Sequence, residues 1–102
     1  MNNPDRWLII KTPECYKVFA TWAGGYLDGD SWKLNSGIAK MEEDGDHFLF
    51  IGASGSTYRC HKKCYGTTAY GASILQGFEE TYTGVITVLK NIEECELFLD
   101  FL

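Results

Sequence analysis

Up to residue 66 the apolar side chains recur at every second position in short runs, and from Thr67 the period lengthens to that of a helix. A repeat of two is that of a strand with one face buried, and a repeat of about 3.6 is that of an amphipathic helix. "RWLIIK" reads as a first strand, halted by Thr12-Pro13. "YKVFATWA" puts Tyr16, Val18, Ala20 and Trp22 on one face and Lys17 and Thr21 on the other. "GGYLDGDS" is a loop, with glycines supplying the permissive backbone. "WKLNSGIAKM" then reads as one strand, with Trp32, Leu34 and Ile38 inward and Ser36 between them. After the turn "EEDGD", "HFLFIGA" is apolar on both faces, as expected of a central strand. "SGS" folds the chain back into "TYRCH", a hairpin that explains its glycine without a ligand.

Beyond Thr67, Tyr70, Ile74, Leu75 and Phe78 fall on one helical stripe, and Thr67 or Thr68 can cap its start. Gly71 and Gly77 weaken this helix by roughly 1 kcal/mol each relative to Ala, so packing must hold it. "GVITVLK" is rich in β-branched residues and reads as a strand. "NIEECELFLDFL" opens with Asn91 and Glu94 in capping-box register, with Ile92, Cys95, Leu99 and Leu102 as its buried stripe. The connections between the early strands are too short for crossovers, so pairing is antiparallel. The expectation is a single α+β domain over residues 1–102. It has a mainly antiparallel sheet of about five to six strands and two helices, in the order β-β-β-β-β-α-β-α.

The net charge of −5 argues against a general nucleic-acid binder, whose phosphate contacts need a basic surface. Acids gather in knots, at Asp28/Asp30, Glu42/Glu43/Asp44/Asp46, Glu79/Glu80 and Glu93/Glu94/Glu96. Basic residues cluster at Arg59, Lys62 and Lys63, beside His61. Residues 7–10 are too short an apolar run for a signal peptide, and no stretch approaches a membrane span. The expected setting is therefore cytoplasmic, with the four cysteines as reduced thiols.

The stretch "GASGSTYRCHKKCYG" looks most like a site. As a phosphate cradle it lacks the P-loop lysine and precedes a strand rather than a helix. Cys60, His61 and Cys64 offer metal-ligating atoms, yet one C-x₃-C is half of a zinc knuckle and a closed site needs about four ligands. The spacing is not that of a redox C-x-x-C, and an alternating strand points His61 away from Cys60, which leaves a nucleophile without its base. The two "DGD" segments read as turns, since neither continues into the spaced oxygens of a calcium loop. No cofactor is expected.

The segments "YKVFATWAGGYLDGDSWKLNSGI" and "GASGSTYRCHKKCYG" resemble a group of small proteins encoded by phages and prophages. The likeness spans roughly residues 16–75 and rests on the Trp-Ala-Gly-Gly-Tyr loop, "GDSWKL" and the hairpin. It implies a setting rather than a reaction: small acidic phage proteins of this kind bind and block a host machine, and anti-CRISPR inhibitors are the best-populated class. The resulting expectation is a non-enzymatic inhibitor of a host protein or ribonucleoprotein defence complex, with no sequence-specific nucleic-acid contact and no membrane association. Tyr26, in the glycine-rich loop flanked by Trp22 and Trp32, is the candidate aromatic anchor, Asp28, Asp30, Glu42, Glu43 and Asp44 are the candidate contacts if the acidic surface docks, and Arg59, Lys62 and Lys63 if the basic hairpin loop does. A flat edge strand can also pair two copies into a homodimer. The alternative is a small-ligand or metal-binding module using Cys60, His61 and Cys64.

Overall fold

The first strand carries four consecutive apolar residues, Trp7 to Ile10, and a strand can bury such a run only if both its faces are covered. That is the arrangement in the computed structural model of the protein, which describes residues 1–24 and 29–97. Strand β1 (Arg6–Lys11) pairs antiparallel with β2 (Tyr16–Trp22), setting Trp7 opposite Ala20, Leu8 opposite Phe19, Ile9 opposite Val18 and Ile10 opposite Lys17. Strand β3 (Ser31–Leu34) joins the free edge of β2, and the two-residue β7 (Thr87–Val88) joins that of β1. This four-stranded sheet has the order β3-β2-β1-β7. A second sheet, of order β4-β5-β6, is a meander of β4 (Ile38–Asp44), β5 (His47–Gly52) and β6 (Thr57–His61).

The sheets stack through one core. Trp7, Ile9, Val18 and Ala20 of the first face Phe48, Phe50, Tyr58 and Cys60 of the second, and Leu89 and Cys95 close the side. Trp7 is fully buried, its ring edge-on to Phe48 at 6.3 Å and to Tyr65 at 4.8 Å. The opposite face of the first sheet, with Leu8, Ile10 and Phe19, is covered by helix α1 (Ala69–Thr81) through Leu75, Ile74 and Phe78. The layers thus run helix, four-stranded sheet, three-stranded sheet, and among the described residues no layer lies over the outer face of the last.

The α+β class stands, but the arrangement departs from expectation in four places. The run "WKLNSGIAKM" is two strands in two different sheets. Buried Asn35 ends β3 by accepting from the Val18 amide at 2.8 Å through its side chain, while its own amide donates to the Val18 carbonyl at 3.1 Å. Gly37, at φ 133°, then turns the chain where an added Cβ would lie 3.1 Å from the Cys15 sulfur and crowd it. The expected single sheet of five to six strands is therefore seven strands in two sheets among the described residues. Second, β5 is central in its sheet but covered by described residues on one face only: Phe48 and Phe50 are buried, while Leu49 and Ile51 are half-exposed on the other side. Third, "GVITVLK" contributes only a two-residue strand, because β7 meets just the end of β1 at Ile10 and Lys11, with one further bond from the Leu89 amide to the Ile9 carbonyl at 3.0 Å.

The fourth departure is the second helix, which among the described residues is a 3-10 turn, Ile92–Glu94. Asn91 caps it by accepting from the Glu93 amide at 3.0 Å, but Glu94 accepts from the Lys90 amide at 3.1 Å rather than closing a capping box on Asn91. Cys95 is buried as the stripe required, while Leu99 and Leu102 lie outside the described residues. The first helix follows its pattern closely. Thr68 caps it by accepting from the Gly71 amide at 3.0 Å, and of its stripe only Tyr70 is left 39% exposed.

Candidate functional site

The hairpin of β5 and β6 fixes where the chemistry-bearing stretch points. Gly55, at φ 93°, closes the turn, with the Gly52 amide donating to the Ser56 carbonyl at 2.7 Å. The pleat then sends Tyr58 and Cys60 inward and Arg59 and His61 outward. Cys60 is fully buried and His61 lies on the opposite face, so the strand itself separates two of the three proposed metal ligands. Among the described residues no group of three His, Cys, Asp or Glu is placed to hold a metal ion. All four cysteines are free thiols, and burial pushes the Cys60 and Cys95 thiols up, away from the reactive thiolate.

Beyond β6, the "CHKKCYG" tract works as a strap. The Lys63 amide donates to His61 Nδ1 at 3.0 Å, and the Cys64 amide to the His61 carbonyl at 3.0 Å, forming a tight turn. Trp7 Nε1 donates to that same His61 carbonyl at 2.7 Å, and the Gly66 amide donates to the Trp7 carbonyl at 2.8 Å. The Tyr65 hydroxyl donates to the Leu89 carbonyl at 2.8 Å and accepts from the Ile9 amide at 3.1 Å. Burial pushes its pKa up to about 12, which keeps it a donor. The glycine, cysteine and tyrosine of this stretch therefore tie the two sheets together.

The outer face of the three-stranded sheet carries other candidate residues. Lys40, Glu42 and Asp44 of β4, His47, Leu49 and Ile51 of β5, and Thr57, Arg59 and His61 of β6 share it, by their cross-strand register. Arg59 reaches over β5 to Asp44, with Nε to Oδ2 at 3.3 Å, and its Nη1 lies 3.3 Å from His47 Nε2. Lys40 pairs with Glu42 at 2.9 Å. At the rim Lys62 pairs with Glu43 and lies 5.0 Å over the Phe48 ring, closing that end of the core. The His47 and His61 rings meet edge to face at 4.9 Å. Desolvation lowers the His47 pKa, the Arg59 and His61 charges add to that, and Asp44 and Asp46 oppose it.

Three of the sequence-derived site residues thus share the outer face, Glu42, Asp44 and Arg59, while Glu43 and Lys62 pair at the edge of the sheet on the side of Phe48. The acidic and basic clusters lie side by side, and carboxylates and cations pair between them. Lys63 is exposed in the turn beside it. Asp30 is exposed ahead of β3, in the other sheet, and Tyr26 and Asp28 lie outside the described residues. Trp22 and Trp32, which flank that loop, are both half-buried. Trp22 donates to the Asn3 carbonyl at 2.9 Å, and Trp32 stacks on Phe19 at 5.6 Å. Leu49, Ile51 and His47 were not singled out from the sequence. Their signal was the strict alternation of "HFLFIG", masked because the outward positions are themselves apolar.

Among the described residues no helix is long and apolar enough to cross a membrane. Comparison with protein-family models, curated proteins and solved structures finds no match to the chain.

Proposed function

We propose that this protein is a non-enzymatic binding module. It docks through the outer face of β4-β5-β6 onto a host protein or ribonucleoprotein defence complex, and blocks it as phage-encoded anti-CRISPR inhibitors do. The observation that carries this reading is the make-up of that face. Half-exposed Leu49 and Ile51 occupy the centre of a sheet face that has no described layer over it, flanked by the Arg59–Asp44 and Lys40–Glu42 pairs, with the Lys62–Glu43 pair at the edge of the sheet beyond it. An apolar centre within a polar rim is the anatomy of a protein–protein interface. Surface ion pairs contribute only about 0–1 kcal/mol each to stability, so their concentration here favours a role in recognition.

The phage resemblance supplies the defence setting, and the experiment is chosen to test both parts. A bacterial strain with an active CRISPR system is challenged with a targeted phage while expressing the protein, Leu49→Asp or Arg59→Glu. Wild type is expected to restore plaque formation, and both variants to lose that effect at unchanged expression and melting temperature. Absence of rescue by the wild type removes the defence setting. Rescue by wild type and both variants alike removes the face.

A further inference from the structure

The helix layer is shorter than the sheet it covers. Helix α1 packs Leu75 and Phe78 over Leu8 and Phe19 and ends at Thr81, which leaves the next cross-strand row of the same face only partly roofed. That row is Ile10 on β1 and, directly opposite it, Lys17 on β2. With Thr12 and Leu34 beside them and Phe78, Tyr82 and Ile86 above, they line a cavity of about 260 Å³. Leu34 is 36% exposed and Tyr82 52% exposed, so the cavity opens to solvent at their end.

The wall is apolar except for three groups. Thr12 is occupied, its hydroxyl donating to the Cys15 carbonyl at 2.9 Å. Lys17 forms no ion pair, and the Tyr82 hydroxyl no hydrogen bond, with any described residue. A lysine on the helix-facing side of a sheet, in a chain with more carboxylates than cations and yet without a carboxylate partner among the described residues, leaves a positive charge at an apolar cleft. We propose that this cavity binds a medium-chain carboxylate, with the alkyl chain against Ile10, Leu34, Phe78 and Ile86 and the carboxylate on Lys17 and Tyr82. A single cation beside an apolar wall suits a monovalent head group, whereas a phosphate draws on several donors. The space equals that of roughly nine water molecules, which matches a chain of about eight carbons. This site lies on the helix side of the molecule, away from the β4-β5-β6 face, and is independent of what docks there.

The test is a titration of the full chain, followed by amide NMR shifts, with octanoate, octanol and octyltrimethylammonium. Octanoate is expected to shift Ile10, Lys17, Phe78, Tyr82 and Ile86 saturably, and octanol to bind about tenfold more weakly for want of the charge-assisted hydrogen bond. Lys17→Met keeps the side-chain length and removes the charge. It is expected to reduce octanoate to the level of octanol and leave octanol unchanged. Ile86→Trp, which fills the cavity, is expected to abolish both. Failure of octanoate to saturate, equal binding of octanoate and octanol, or octanoate binding unchanged in Lys17→Met overturns the proposal. So does a peptide with an apolar C-terminus that binds these residues where octanoate does not.

Discussion

His47 is the residue at which chemistry and position conflict most plainly. It sits on an outward-facing position of β5, yet desolvation, Arg59 at 3.3 Å and the His61 ring at 4.9 Å all disfavour its protonated form. Its native pKa accordingly lies below the ordinary 6.5. The unfolded chain therefore takes up a proton at this residue before the native protein does. Stability is complete above the unfolded value and declines as pH falls through it, until the native value is passed. The expected outcome is a lower melting temperature at about pH 5.5 than at about pH 7.5, with part of that difference removed in His47→Gln. An identical pH dependence in the variant would show that His47 is not responsible. Nothing in the sequence indicated this. "DHF" and "RCH" are unremarkable, and only strand register brings His47 opposite His61.

At the scale of the element, the two helix glycines look alike in sequence and differ in space. Helix propensity treats both as defects. Gly71 is buried where α1 meets the sheet: a Cβ there would lie 1.9 Å from Thr67 Oγ1 and 2.8 Å from Thr21 Cγ2, while at Gly77 nothing lies within 4 Å. Gly77→Ala should therefore raise stability by about 0.4–1 kcal/mol. Gly71→Ala should lower it despite the better propensity, by about 1–3 kcal/mol for overpacking. Denaturant unfolding of the two variants decides it, and equal stabilisation by both would mean that the helix does not approach Thr21 so closely. Other elements show why some of the fold was legible and some was not. Strands β1, β2, β5 and β6 and helix α1 were readable because local period and turn chemistry agree. The split of residues 31–44 into β3 and β4 was not, because alternation continues through Asn35 and Gly37 while the chain changes sheets. Strand β7 shrank because pairing length is set by the partner edge rather than by β-branched content.

For the whole molecule, alternation along a strand does not say which strands are buried on two sides. The first sheet lies between the helix and the second sheet, so Lys17 and Thr21, on the face opposite Val18 and Ala20, face the helix layer. The same layering leaves Leu49 and Ile51 outward, on the β4-β5-β6 face that no described layer covers. On and beside that face the charges balance, Lys40, Arg59, Lys62 and Lys63 against Glu42, Glu43, Asp44 and Asp46, so the net −5 of the chain arises elsewhere. Under the proposed function, long-range attraction to a basic partner would come from the rest of the surface, and the paired rim would set register once contact is made. If the acidic and basic clusters were rival docking surfaces, reversing one would leave binding intact. Because they interlock, reversing either should weaken it. Glu42→Lys, Glu43→Lys and Asp44→Lys together strand Arg59 and Lys62 among new cations. Lys62→Glu with Lys63→Glu strands Glu43. Both variants should keep the fold, since none of the substituted side chains is buried, and both should bind a purified defence complex more weakly than wild type. The wild-type association rate should fall between about 50 and about 500 mM salt, while dissociation from the paired rim changes less. Measured by surface-immobilised kinetics, loss of binding in only one variant would restore two separate faces, and unchanged binding in both would move the contact off this sheet.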